Sequence, residues 1–169
     1  MEAGTASQPA TEVLREHFEA LGRHDIPAAR WAPDVVAEIT SQGVFRGREE
    51  IARFFEELFA AVPDAEMIID RILGDEKVAA IEWRMRGNFT GTPLTGLEAT
   101  GGWIEARGCD VAEVSNGRID RITAYTDGME LARSIGLMPA KDSGSERALI
   151  QAFNLATRAR LALRARFGQ

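Results

Sequence analysis

Apolar residues that recur every three or four positions predict helices in three parts of the chain. The strongest pattern covers Arg48–Val62 and ends at Pro63, which cannot continue a helix. A second helix is predicted from Thr11 to Leu21, with Thr11 as its N-cap, and a short third helix from Met129 to Leu137. Each of these helices has one apolar face, so we expect all three to pack against a shared core.

Segments rich in β-branched and alternating residues predict five strands: Val35–Thr40, Met67–Leu73, Val78–Phe89, Trp103–Val114 and Arg118–Tyr125. In the third strand, Trp83 and Met85 share one parity and are expected to face the core. Arg84 and Arg86 share the other parity, which favours an outward face for both. Asn116-Gly117 is typical of a two-residue hairpin turn. Strands grouped after helices indicate an α+β domain with a mostly antiparallel sheet.

The last segment differs from the rest in composition. Residues 145–167 are rich in Ala, Leu and Arg and predict an appended helix beyond a linker that starts at residue 140. From Lys141 onward the net charge is +4, which leaves −10 for the rest of the chain. The basic face could therefore meet the acidic domain of its own or a partner subunit. The alternatives are a solvated helix that closes the fold and, less favoured, a membrane surface. The predicted division is a leader (1–10), one domain (11–139), and a linker with helix (140–169).

Composition narrows the classes of function. A chain of 169 residues with 45% hydrophobic and 27% charged residues is typical of a single globular domain. The net charge of −6 argues against nucleic acid as a partner, and no apolar run is long enough to predict a membrane span. The single cysteine, Cys109, excludes an internal disulfide and suits a reducing cytoplasm. No metal-ligand spacing and no phosphate-binding loop is found, so we predict no metal and no cofactor.

Four segments match one family in order and spacing. They are Phe45–Phe55 followed by Ala60–Ala65, Val78–Gly91, Asn116–Asp127 and Ile135–Leu137. Together they resemble SnoaL-like proteins of the nuclear-transport-factor-2 (NTF2-like) superfamily. The resemblance implies a cone-shaped α+β barrel, in which a curved sheet and helices enclose a deep apolar pocket. The superfamily includes polyketide cyclases, ketosteroid isomerases, epoxide hydrolases, dehydratases and members without known chemistry, so fold alone does not assign the reaction.

The resemblance points to Asp127 as the catalytic base. In SnoaL-like cyclases, an aspartate at the matching position removes a proton from a carbon flanked by carbonyls. A carboxylate can do this when an apolar wall raises its pKa toward the working pH. The position at a strand end, before Gly128 and a short helix, suits such a site, and we expect an enclosed cavity there. The alternative is that Asp127 caps the following helix.

A second candidate is Glu113, which stands where some cyclases carry a basic residue. Two nearby carboxylates can separate their pKa values and divide the acid and base roles. The alternative is an exposed carboxylate paired with Arg118 or Arg121. Phe89 stands where many relatives have histidine, and the two histidines, His17 and His24, are interpreted as surface or packing residues.

The sequence also predicts which residues line the pocket, which reaction takes place there and how the chain assembles. The expected lining consists of aromatic and soft side chains: Trp83, Met85, Phe89, Trp103, Tyr125, Phe55 and Phe59. The predicted function is cofactor-free proton transfer on a small hydrophobic carbonyl compound, of the cyclase or isomerase type. A non-catalytic binding protein and an epoxide hydrolase stay as alternatives. The Arg-x-Asp of the hydrolases is replaced here by Arg84-Met85-Arg86. A homodimer is expected from the family.

Overall fold

A computed structural model describes residues 8–40 and 42–167, and most of the predicted leader lies outside this range. The described chain contains four α-helices, one 3₁₀ turn and six strands. In chain order they are α1 (Ala10–Gly22), the 3₁₀ turn (Ala28–Arg30), β1 (Trp31–Ile39), β2 (Gly43–Arg46), α2 (Gly47–Ala61), β3 (Glu66–Gly74), β4 (Val78–Asn88), β5 (Trp103–Ser115), β6 (Arg118–Thr126), α3 (Gly128–Ser134) and α4 (Gly144–Phe167).

The six strands form one curved sheet in the order β2-β1-β6-β5-β4-β3. Neighbouring strands run antiparallel except for β1 and β6, which are parallel. The sheet stays open, with β2 and β3 at its edges. Helix α1 packs across β3, β4 and β5, and α2 packs against β1 and β2, so both helices cover the inner face. The α+β class and the mostly antiparallel sheet are confirmed.

The hairpin between β5 and β6 forms as predicted. Asn116 and Gly117 both have positive φ, 50° and 70°, as a two-residue turn of this kind requires. The register between the two strands shifts between Glu113 and Val114.

The structure corrects two parts of the first half of the chain. Strand β1 begins at Trp31 rather than Val35, and residues 43–46, for which the sequence predicted no strand, form β2. Pairing with β1 is the reason, because Phe45 lies opposite Ala37 in the antiparallel ladder. Such pairing depends on a neighbouring strand, so a short window of sequence does not reveal it.

The core lies between the sheet and the first two helices. Ile81, Trp83, Met85 and Phe89 are buried, which confirms the parity assigned to β4. The apolar stripe of α2 faces the same core: Ile51 is buried and Phe55 is half-buried against it.

Helix α4 forms as predicted but does not pack on its own domain. Its start is held by an ion pair between Arg133 and Glu146, with 2.5 Å between Nη2 and Oε1. Beyond this point nearly every described side chain is exposed, including large apolar ones such as Phe153 (69%) and Leu155 (71%). Docking on the surface of its own subunit, one of the predicted arrangements, is therefore wrong.

Candidate functional site

A cavity of about 110 Å³ lies between the inner face of the sheet and the two core helices. Loop 89–102 forms part of its wall, because Gly91 and Thr92 donate backbone hydrogen bonds to the end of α2 and bring Leu94 and Thr95 to the cavity. The lining is almost entirely apolar: Phe18, Leu21, Ile39, Gln42, Phe54, Phe55, Leu58, Met67, Trp83, Met85, Leu94, Thr95, Ala106, Asp110, Ala124, Thr126 and Leu131. This is the type of concave apolar site that binds small molecules.

Asp110 is the one carboxylate among the described residues that line this cavity. It lies on β5, opposite Ile81 of β4 and Ala124 of β6, and only 7% of it is exposed. Its side chain points inward because β5 alternates, and Asp110 shares its parity with the buried Ala106 and Ala112. The carboxylate is therefore fixed on the rigid sheet and faces an apolar space.

Trp83 holds this carboxylate in place. Its indole Nε1 donates a hydrogen bond of 2.7 Å to Asp110 Oδ1, and Trp83 is itself buried. Gly108 makes the arrangement possible. It lies directly opposite Trp83, and a Cβ at this position would be 2.5 Å from the indole atom Cζ2. The glycine thus leaves room for the ring to lie against β5, two residues from Asp110.

Burial raises the pKa of Asp110 to about 7, and the hydrogen bond from Trp83 opposes this shift only in part. The cause is desolvation, since removal of the carboxylate from water disfavours its charged form. The side chain can therefore accept and return a proton near neutral pH. An acid–base catalyst works best when its pKa is close to the pH of the reaction.

A second buried ionisable group, His17 on α1, lies at the wall of the same inner space as Asp110. His17 is 2% exposed, and its Nδ1 accepts a hydrogen bond of 3.2 Å from Trp31 Nε1. Burial lowers the pKa of His17 to about 3, so its ring is neutral at physiological pH. His17 and Asp110 both line a smaller cavity of about 30 Å³. His17 is therefore buried, in line with the packing role predicted for it, and its ring lies at the wall of the small cavity.

The cavity position predicted for Asp127 is wrong. Asp127 is exposed and accepts a hydrogen bond of 2.9 Å from the backbone N–H of Glu130, so it caps α3. The physical reason is strand parity. Asp127 continues the outward parity of Tyr125, whereas Thr126 between them reaches the cavity. The capping alternative is therefore the arrangement that the structure shows.

Several other predicted site residues also lie away from the cavity. Glu113 is exposed on the outer face, opposite Arg121 in the register. Trp103 and Tyr125 are 51% and 55% exposed, so their predicted place in the pocket is wrong. Both lie on the outward parity of their strands.

The other members of the predicted lining face inward, in different roles. Trp83, Met85 and Phe55 line the cavity as expected. Phe89 is fully buried core, and Phe59 stacks on the ring of His24 at 4.4 Å; neither lines a described cavity. Three of the seven predicted pocket residues therefore meet at the site.

The outer face carries a larger, polar depression of about 410 Å³, bordered by residues that include Tyr125 and Asp127. Its charged groups largely pair with one another or with near neighbours. Arg84 forms an ion pair with Asp70, and Arg107 forms one with Glu130. The outward face predicted for Arg84 and Arg86 is confirmed. We place the candidate site at the inner cavity because Asp110 is the one buried carboxylate among the described residues.

Within residues 8–40 and 42–167, no group of three or more histidine, cysteine, aspartate or glutamate side chains is arranged to hold a metal ion. None of the helices in this range combines the length and the apolar character needed to cross a membrane.

Asp110 is a candidate site residue that was not predicted from the sequence, although the sequence contains a signal for it. Ile104, Ala106, Ala112 and Val114 mark the even positions of β5 as apolar. A carboxylate at position 110 interrupts this face. An ionisable residue on the apolar face of a strand is a candidate for a functional site. Its burial costs free energy, and ionisable groups in such surroundings are found most often at functional sites.

Comparisons with known proteins agree with this fold. A SnoaL-like protein from Jannaschia sp. CCS1, described as a polyketide cyclase, is 14% identical with a TM-score of 0.69, over 82% of this chain and 99% of that one. IdmH from Streptomyces antibioticus, also described as a polyketide cyclase, is 20% identical with a TM-score of 0.65, over 75% and 97%. An LEH-like epoxide hydrolase from M. tuberculosis is 21% identical with a TM-score of 0.59, over 75% and 88%.

Sequence comparisons give the family. No curated protein matches the sequence. The family model described as "SnoaL-like domain" matches residues 14–122, which is more than half of the chain and includes both His17 and Asp110. The chain therefore belongs to the SnoaL-like family.

Proposed function

We propose that this protein is a cofactor-free enzyme that moves a proton at a carbon next to a carbonyl group, with Asp110 as the base. One observation carries the proposal: a carboxylate, buried in the apolar wall of an inner cavity, has its pKa raised to about 7. The substrate would be a small, largely hydrophobic carbonyl compound, such as a polyketide-type ketone. The Jannaschia and Streptomyces proteins of the same fold are described as polyketide cyclases.

The proton and electrons balance within the site. The Asp110 carboxylate takes the proton from carbon, and the electron pair of the C–H bond moves to the carbonyl oxygen to form an enolate. If a C=C bond lies next to the deprotonated carbon, the enolate extends over it, and protonated Asp110 can return the proton to the far carbon, which gives isomerisation. Alternatively, the enolate carbon can attack a second carbonyl of the same molecule, and protonated Asp110 gives its proton to the alkoxide that forms, which gives cyclisation and restores the carboxylate. The apolar lining keeps water from competing for the proton.

The residues of the cavity favour proton transfer over epoxide hydrolysis. By the family resemblance, epoxide hydrolysis needs a carboxylate–arginine–carboxylate set that holds and protonates the epoxide while water attacks. The described lining contains Asp110 as its one carboxylate and no arginine. Arg84 and Arg86, the candidates for that set, form ion pairs with Asp70 and Glu66 on the outer face.

Solvent-deuterium exchange tests the proposed function. We would incubate the protein in D₂O with a panel of monocyclic and aryl ketones, whose uncatalysed exchange near neutral pH is slow. We expect saturable incorporation of deuterium beside the carbonyl of at least one ketone, measured by mass spectrometry. Ketones that bind by calorimetry without any exchange above buffer would contradict catalysis and support a carrier protein instead.

We also propose that α4 pairs with a second copy of this chain, which would make the protein a homodimer. The support is charge and exposed apolar area. Residues from Lys141 onward carry +4 against −10 for the rest. Large side chains of α4, among them Ile150, Phe153 and Leu161, are more than half exposed in one protomer. Exposed apolar area of this kind marks an interaction surface, and the acidic domain of a partner subunit offers the complementary charge.

Truncation after Ala140 tests this assembly. We expect the full chain to have a dimer's mass in light scattering and the truncated chain a monomer's mass. The folded domain should remain, because α4 contributes little to its core. The matched full-length variant Arg158→Glu/Arg164→Glu should dimerise more weakly than the wild type. Added salt should weaken its dimer less than that of the wild type, because charges of opposite sign no longer meet. An identical mass for full and truncated chains would contradict pairing through α4.

A further inference from the structure

The lining of the small inner cavity includes two titratable side chains, His17 and Asp110. The small cavity of about 30 Å³ is closed by aromatic and aliphatic side chains such as Trp31, Phe45 and Phe55. A water molecule needs roughly 10–15 Å³ of such space and two to four polar partners. The volume fits one water and is too small for a substrate ring.

The hydrogen bond from Trp31 determines which nitrogen of His17 carries the proton. Indole N–H groups only donate, so His17 Nδ1 must be the unprotonated acceptor. In a neutral imidazole the remaining proton is then on Nε2. That N–H makes no hydrogen bond to any of the described residues, although His17 is only 2% exposed. In a ring this buried, a donor without a protein partner is typically satisfied by an ordered water where a cavity has room for one.

Asp110 presents the matching acceptor. Trp83 occupies Oδ1, and Oδ2 has no hydrogen bond within the described chain. His17 and Asp110 are the only titratable groups among the described residues that line the two inner cavities. The neighbouring charged groups of β4 and β5, such as Glu82 and Arg107, face outward.

We propose that the small cavity binds one ordered water molecule, which accepts a hydrogen bond from His17 Nε2 and donates one to Asp110 Oδ2. His17 is then a positioning residue: it acts through the water, stabilises the charged form of Asp110 and holds the carboxylate toward the larger cavity. The proposal rests on the proposed function for the role of Asp110 as a base, but the water site itself does not depend on any substrate.

Removal of the donor should strengthen proton binding by Asp110, because a hydrogen bond to the charged form favours that form. We would titrate protein labelled with ¹³C-aspartate and follow the Asp110 carboxyl carbon, assigned by its absence in Asp110→Asn. In His17→Phe we expect the acid dissociation constant of Asp110 to fall about tenfold, one pKa unit. His17→Gln, which keeps an amide N–H near the position of Nε2, should titrate close to the wild type.

An unchanged titration in His17→Phe, or the same shift in His17→Gln, would overturn the proposal. The wild type gives an independent measurement if either variant fails to fold. There we expect a rotating-frame Overhauser cross-peak between the His17 Nε2 proton and bound water, and its absence would also overturn the water site. Neither measurement requires turnover. A failed ketone exchange would therefore remove the proposed function and leave the water site to be judged separately.

Discussion

Asp110→Asn should lower the rate of proton transfer by about 10²–10⁴-fold, the range that a positioned general base contributes. Asparagine keeps the shape of the side chain, and its carbonyl oxygen can still accept the hydrogen bond from Trp83 Nε1, which is 2.7 Å from Oδ1 in the wild type. It cannot accept the substrate proton. Binding should be retained, because the apolar walls are unchanged. The measurement is deuterium incorporation into the ketone that the wild type exchanges, at pH 8.

Asp127→Asn is the matched control for this experiment. It makes the same chemical change at the residue that the family resemblance indicates as the base. The new side chain would still cap α3, because asparagine is as good an N-cap as aspartate. We expect Asp127→Asn to retain wild-type exchange. A large loss in Asp127→Asn, with normal exchange in Asp110→Asn, would contradict a site at the inner cavity and favour the position predicted by the resemblance.

At pH 8 the free energy of unfolding of Asp110→Asn should exceed that of the wild type by about 4 kcal/mol. This is the equivalent of the shift in the pKa of Asp110 from 3.8 to about 7. The folded pKa of Asp110 lies above its unfolded value, so the native state binds the extra proton between these values. The contribution of Asp110 to the stability of the wild type therefore falls as pH rises through this window. The variant lacks this loss, and the difference between the two proteins should grow from about pH 4 to pH 7 and then become constant.

His17 produces the opposite slope, which the variant should reveal. Burial lowers the pKa of His17 from 6.5 to about 3, so the unfolded state binds the extra proton in this range. In the wild type the two slopes oppose each other between about pH 4 and 6.5, and stability should be nearly flat there. In Asp110→Asn only the His17 slope remains, so stability should decrease as pH falls below 6.5, by up to about 1.4 kcal/mol per unit.

Urea unfolding of both proteins from pH 4 to 8 measures these two effects. The exposed carboxylates whose pKa is lowered, among them Asp64 and Asp75, contribute equally to both proteins and cancel in the difference. A difference in unfolding free energy that stays constant across the pH range would show that Asp110 titrates alike in the folded and unfolded states. That result would contradict the desolvated carboxylate on which the proposed function depends.

The local pattern of the sequence was sufficient for most of the elements. The stripe of α2, the parity of β4 and the Asn116-Gly117 turn each depend on neighbours within a few residues, and the structure confirms all three. The start of β1 and the whole of β2 were not predicted, because they depend on pairing between segments. The parallel pairing of β1 with β6 has no signature in a short window.

The family resemblance predicted the fold correctly but gave a different location for the chemistry. It pointed to Asp127 at the end of β6, where strand parity turns the side chain outward. Asp110 could have been found by the pattern of β5 alone, as a carboxylate on an apolar parity. That pattern predicts burial of the side chain, but it does not show what surrounds it.

The sequence by itself determined the helices, most strands and which face of each is apolar, since these follow from spacing along the chain. Only the tertiary structure brought the site together. Trp83 on β4 contacts Asp110 on the adjacent strand β5. His17 lines the same space because α1 packs across the sheet. Desolvation, the cause of the shifted pKa of both groups, depends on every element that excludes water from the cavity. No single stretch of sequence contains that information.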